Sequence, residues 1–286
     1  MVRHIWEYWW PLYPGVILAI SYTGIPAGYF FLLQFPLTII SALAGYIFLL
    51  KKIPHSVNEK PDTFDIKALL QTVGPIFLLV ILSLVGSILL PQAGFSKTIV
   101  NLVSLPAALM VCIGLTFKTD YAAVKRSAKS LFSRQTWALM LIIVGVQSFS
   151  AALLIPAGDS SGNLVSMMRG ELFSMGVPIL LVIMVIPFVS GAVTGVAAGF
   201  VGASFPLVFA LLGENCPFGT LAAVTVLAYA SGYFGMIISP LHVCLVVSNE
   251  YFKSRLSQAY RFILLPALTL FLGALFLAGS YYLLIR

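Results

Sequence analysis

Long apolar runs, separated by short polar stretches, set the rhythm of this chain. A helix that crosses a bilayer takes about 20 apolar residues. The pattern predicts such segments over 12–24, 29–50, 69–90, 97–117, 136–156, 173–189, 192–213, 219–240 and 261–285. The first is short and follows Pro11 and Pro14. The sixth and seventh flank a glycine-rich stretch. They read either as two full spans or as one helix plus a re-entrant hairpin. The expected class is an all-α polytopic membrane protein with about nine transmembrane segments, one of them re-entrant or broken.

The glycine-rich stretch, residues 187–206, is the most informative. Pro187 and Pro206 bracket it, Gly191, Gly195, Gly199 and Gly202 interrupt it, and Ser190, Thr194 and Ser204 add hydroxyls. Two readings compete. Glycines at 191, 195 and 199 share one helix face, the small-residue spacing that lets helices approach closely. Alternatively the helix breaks near Val201, with Pro206 opening a second half-helix. A broken segment in hydrocarbon survives only where protein or a wet cavity satisfies its backbone. Its half-helix amides would suit an anion.

Composition and charge sharpen the class. Hydrophobic residues make up 60% of the chain and charged residues 9%, with a mean hydropathy of +1.04. A soluble domain carries roughly 25% charged residues. The net charge of +7 does not point to nucleic acid, because the basic residues sit between apolar runs. They read as topology signals and contacts with lipid headgroups. With the N-terminus in the cytoplasm, Arg3, Lys51, Lys52, Lys60, Lys67, Lys118, Lys125, Arg126, Lys129, Arg134, Lys253, Arg255 and Arg261 fall inside. Only Lys97, Arg169 and Arg286 fall outside. That asymmetry predicts a multi-pass plasma-membrane protein whose C-terminus lies outside. Residues 51–68 and 118–135 are expected as cytoplasmic loops, 158–171 as an external one, and 1–286 as a single transmembrane domain. Cys112, Cys216 and Cys244 are scattered, with no zinc spacing, and no signal peptide is evident.

A second weakened segment follows. Ser231, Gly232, Gly235, Ser239 and Pro240 interrupt 228–250, and His242 comes directly after. Pro240 should kink or end the helix. An ionisable residue at membrane depth is a functional candidate by default; the plainer reading is an interfacial histidine bonded to a carbonyl. Gly235, Ser239, Pro240 and His242 are therefore candidates for coupling or gating. At the N-terminus, Trp6, Tyr8, Trp9 and Trp10 read as an interfacial aromatic belt. His4 and Glu7 share a helix face and suit a metal or proton pair, but no third ligand is evident, so no metal site is assigned. Ser204 with His242 invites an intramembrane serine protease reading. The Phe205-Pro206 that follows gives the wrong local turn for it. No nucleotide-binding or metalloprotease motif appears.

Several of these motifs are similar to those of one group. His4-Ile-Trp-Glu-Tyr, Trp10-Pro-Leu-Tyr-Pro-Gly15, the run from Ser190 to Pro206, and Gly235-Met-Ile-Ile-Ser-Pro-Leu-His242 resemble the prokaryotic membrane family called domain of unknown function 401. That family is grouped with the ion transporter superfamily, beside citrate, gluconate, dicarboxylate and arsenite carriers. The resemblance covers most of the chain. It implies an inverted-repeat carrier with a re-entrant hairpin and a broken helix in each half. Relatives carry a further stretch before the His-Ile-Trp-Glu motif, so the resemblance also implies that this chain is the C-terminal two-thirds of such a carrier. A separate N-terminal half or a homodimer partner would complete it.

The expected function is secondary transport of a small organic anion coupled to H⁺ or Na⁺, with no other cofactor and no enzymatic activity. The expected substrate contacts are Ser190, Gly191, Thr194, Gly195, Gly199, Gly202, Ser204 and Ser231. Membrane lipid and a small anionic solute are the expected partners. The alternative is a non-transporting scaffold that uses the Gly191/Gly195/Gly199 face to bind another helix.

Overall fold

The computed structural model describes residues 4–10, 12–52, 66–119, 132–153, 155, 164–213 and 216–285. The described elements are helical: α1 Pro14–Thr23, α2 Ala27–Phe48, α3 Ile66–Gln92, α4 Lys97–Thr119, α5 Arg134–Leu153, α6 Leu164–Ser174, α7 Ile179–Thr194, α8 Ala197–Leu212, α9 Phe218–Ile238, α10 Val243–Tyr251 and α11 Leu256–Leu284. A short 3-10 turn, Leu50–Lys52, follows α2. Among the described residues, four segments are long and apolar enough to cross a membrane: Ala27–Phe48, Val73–Gln92, Phe218–Tyr251 and Leu256–Leu284. The segments expected as loops at 51–68 and 118–135 lie mostly outside the described residues.

These helices tolerate proline. Pro36, Pro75, Pro106, Pro187, Pro206 and Pro266 all lie inside helices. Four buried hydroxyls are satisfied within their own helices. Ser87 donates to Ser83 O, Ser204 to Phe200 O, Thr225 to Leu221 O and Ser231 to Leu227 O, each one turn back along its own helix. Such back-bonding lets serine and threonine sit in apolar surroundings without an unpaired polar group.

The bundle is built around α9. This helix is rich in small residues, among them Gly219, Ala222, Ala223, Ala228, Ala230, Ser231, Gly232 and Gly235, all buried. It packs on α7 on one side and α11 on another, and α8 also reaches it. From α11 the contacts run outward through α2 and α3 to α4, while α1 lies on α8. Small residues allow backbone-to-backbone approach. A methyl group added to Gly191 would overlap the Gly232 carbonyl, and one added to Gly235 would overlap the Phe188 carbonyl. Gly232 in turn seats the Phe200 ring. Away from this core the helices present apolar side chains outward, such as Leu32, Leu43, Ile81, Leu181 and Phe276.

Three expectations change. The helix break lies at Gly195–Val196, not near Val201. Gly195 is left-handed, with φ 64° and its N–H donating to Gly191 O, and Val196 is extended. Val201, Gly202 and Pro206 sit within α8. Glycine takes φ > 0 without a Cβ penalty, and Gly195 is where the chain uses that freedom. The second change concerns the N-terminal aromatics. Tyr8 and Trp9 are 0% and 2% exposed, so they belong to the core and not to a belt. Trp6 alone of the four is exposed. In addition, α1 has 10 residues and is too short to cross, since about 20 are needed.

Candidate functional site

Three helix interruptions shape the site. α7 and α8 form a tight antiparallel hairpin: Thr194 lies against Gly199 near the turn, and Val182 clusters with Leu211 at the far end. Each arm has 16 residues, about 24 Å at 1.5 Å per residue. A second interruption, Ser239 to His242, separates α9 from α10. A third, Gly24 to Pro26, separates α1 from α2, and Gly24 repeats the left-handed cap with φ 65°.

The first two interruptions pack directly on each other. A Cβ at Gly195 would meet Leu241 C and O and His242 N at 2.8–2.9 Å. Ser239 Oγ donates to Ala192 O at 2.6 Å and accepts from Leu241 N at 3.1 Å. His242 Nδ1 donates to Gly195 O at 2.8 Å. So the carbonyl freed by the break in one helix is bonded by the histidine at the break in the other. Both α8 and α10 start here, at Val196 and His242, with no side-chain cap and no acidic residue in the first turn.

The segment 4–10 closes the site from the other end of the sequence. Its main-chain carbonyls are held by three side chains: Tyr233 Oη donates to His4 O at 2.7 Å, Thr38 Oγ1 to Ile5 O at 2.8 Å and Tyr229 Oη to Glu7 O at 2.8 Å. Tyr8 is fully buried beside Tyr233, with ring centroids 4.2 Å apart. Burial holds its phenol well above the usual range, so it stays protonated. This strap sets His4 against His242. Their Nε2 atoms are 3.4 Å apart, and His4 Nδ1 lies 2.7 Å from Glu7 Oε1. Cys244 Sγ completes a cluster in which one ring nitrogen of each histidine and the sulfur lie within 4.8 Å of one another. A cavity of about 280 Å³ opens beside it, with Ser248, Asn249 and Ser254 on its polar side.

The residues singled out in sequence divide between these features. Gly195, Ser239 and His242 meet at the crossing of the two breaks, and Pro240 lies exposed beside them. Gly191 and Gly235 lie in the α7–α9 contact. Gly199 faces Thr194, whose hydroxyl donates to Ser190 O at 2.7 Å. Gly202, Ser204 and Ser231 are buried within α8 and α9. The plainer expectation for His242, a bond to a carbonyl, is met by Gly195 O, and its other ring nitrogen faces His4. What sequence reasoning missed is that His4, Tyr229, Tyr233, Cys244 and Asn249 converge. The available signals were the His4–Glu7 pair and the His-x-Cys spacing at 242–244. Nothing local connects it to His4, 238 positions away.

No curated protein and no solved structure matches this chain. One family model does, described as Protein of unknown function (DUF401), over residues 1–279. The chain belongs to that family.

Proposed function

We propose that the chain is, or forms part of, a secondary transporter that moves a small organic anion across the plasma membrane, coupled to H⁺ or Na⁺. One observation carries the reading: the break in the α7–α8 hairpin rests on the break between α9 and α10. Interrupted helices meeting inside a bundle are how carriers expose main-chain dipoles at mid-membrane depth. Two helix N-termini, those of α8 and α10, start at this crossing. Their positive dipole ends favour a carboxylate or similar anion. The short arms of the hairpin fit a re-entrant element of an ion-transporter-type fold, since they fall short of the roughly 30 Å hydrocarbon layer. Four long apolar segments support a membrane location. The distribution of basic residues supports a cytoplasmic N-terminus and an external C-terminus.

The scaffold alternative draws less support. The Gly191 side of the glycine face is filled by α9, and the Gly195 side by residues 241–242. Neither is left open for another chain.

Uptake of radiolabelled mono-, di- and tricarboxylates into proteoliposomes tests the reading, with the full chain under an imposed H⁺ or Na⁺ gradient. Gradient-dependent uptake that disappears in Gly195→Leu is expected. Uptake unaffected by that substitution would remove the crossing from the transport path.

A further inference from the structure

The two facing histidines pose a problem of protons. His242 Nδ1 lies on a carbonyl, which can only accept, so this nitrogen carries the hydrogen. Glu7 Oε1, as a carboxylate, likewise requires the hydrogen on His4 Nδ1. In two neutral rings that leaves the two Nε2 atoms 3.4 Å apart with no hydrogen on either, the rings being tilted with centroids 5.0 Å apart. Such an arrangement is repulsive unless a proton or a metal cation lies between them. Cys244 Sγ is the third donor beside them.

We infer that His4 Nε2, His242 Nε2 and Cys244 Sγ bind one borderline-soft transition-metal dication of the Zn²⁺ class, with its fourth position open to the cavity. The geometry fits. A tetrahedral centre with metal–nitrogen bonds of about 2.0–2.1 Å has a nitrogen–nitrogen edge of about 3.3–3.4 Å, against the 3.4 Å found. The Cys244 sulfur lies within 4.8 Å of a ring nitrogen of each histidine. The outer partners fit as well. Metal-binding histidines hand their second ring N–H to a carboxylate or a backbone carbonyl, and here one does each.

Charge points the same way. Glu7 Oε2 is buried with no hydrogen-bond partner, and a cation bound through His4 supplies the positive charge this carboxylate lacks. The Asn249 Nδ2 amide is also buried without a partner. Asn249 lines the cavity that His4, His242 and Cys244 share. It is suited to donate to a water or small oxyanion in the fourth position. Imidazole and thiolate together select metals of this class over Mg²⁺ or Ca²⁺.

The site is tested without any transport assay, so its fate and that of the carrier reading are separable. The purified full chain is equilibrated with Zn²⁺, desalted and assayed for metal, with one ion per chain expected. Substitution with Co²⁺ should give visible d–d bands and a near-ultraviolet thiolate-to-cobalt band. Cys244→Ser should abolish that band, and Cys216→Ser should leave it intact. Glu7→Gln should weaken metal binding by about 10–100-fold while keeping the band. X-ray absorption at the zinc edge should report two imidazoles and one sulfur, a readout that does not depend on how any variant folds. A wild-type chain that retains no zinc, a sphere without sulfur, or a cobalt band that survives Cys244→Ser would overturn the proposal.

Discussion

Gly195→Ala isolates the contact between the two helix breaks. The substitution has two costs. The first is backbone: Gly195 has φ 64°, and an L-residue held in the left-handed region costs about 1–2 kcal/mol. The second is steric: the new methyl would lie 2.8–2.9 Å from Leu241 C and O and His242 N. These are main-chain atoms and cannot swing aside as a flexible side chain would. Overpacking of this kind costs about 1–3 kcal/mol, so Gly195→Ala should destabilise by about 2–5 kcal/mol in total. Gly24 supplies the control. Its φ is 65°, nearly the same, yet a methyl there meets nothing within 4 Å. Gly24→Ala should therefore cost only the backbone share, about 1–2 kcal/mol. Equilibrium unfolding in mixed micelles, followed by circular dichroism, measures both. The difference between the variants is the steric cost of crowding the crossing. Equal losses would mean that the hairpin turn and residues 241–242 do not touch.

Other outcomes follow from the same contacts. Gly191→Ala drives a methyl into the Gly232 carbonyl, and it should destabilise by about 1–3 kcal/mol in the same unfolding assay. Tyr229→Phe and Tyr233→Phe each remove a donor from a strap carbonyl. Each should cost about 1–3 kcal/mol, and the double variant should expose residues 4–10 to limited proteolysis. Ser204→Ala removes only a bond to Phe200 O in its own helix, so unfolding should shift by less than about 1 kcal/mol. Burial pushes the Cys216 thiol above its ordinary value. Its alkylation should therefore accelerate only at a pH above that of an exposed cysteine, and Cys216→Ser should remove that phase.

Most helices were legible as apolar runs. The observed bounds of α2, α4 and α9 fall within a few residues of the predicted spans. The hairpin was legible as a glycine-rich interruption, but its turn was placed about six residues late. The reason is that glycine serves two ends here. Gly195 takes a left-handed turn, whereas Gly191 thins the helix face against α9, and Gly199 makes room for Thr194. Sequence spacing cannot separate these uses. Prolines misled in the same way: Pro206 lies inside α8, but Pro240 sits at a true break. The histidine–cysteine cluster was not legible, because it needs α9 to bring opposite ends of the chain together. Trp9 and Tyr8 looked interfacial by composition, and only the tertiary contacts of the strap put them in the core.

The strap is gripped through its main chain, by tyrosines that follow it by more than 220 positions. At ribosomal rates of about 5–20 residues per second, its clasp is synthesised roughly 10–45 s after the strap itself. For that interval the strap has only the Thr38 hydroxyl of α2 to hold its main chain, while the hairpin and its neighbours are made. Nascent chains cut short before Tyr229 would lack two of the three fasteners, so an antibody to residues 4–10 would tell finished molecules from abortive ones.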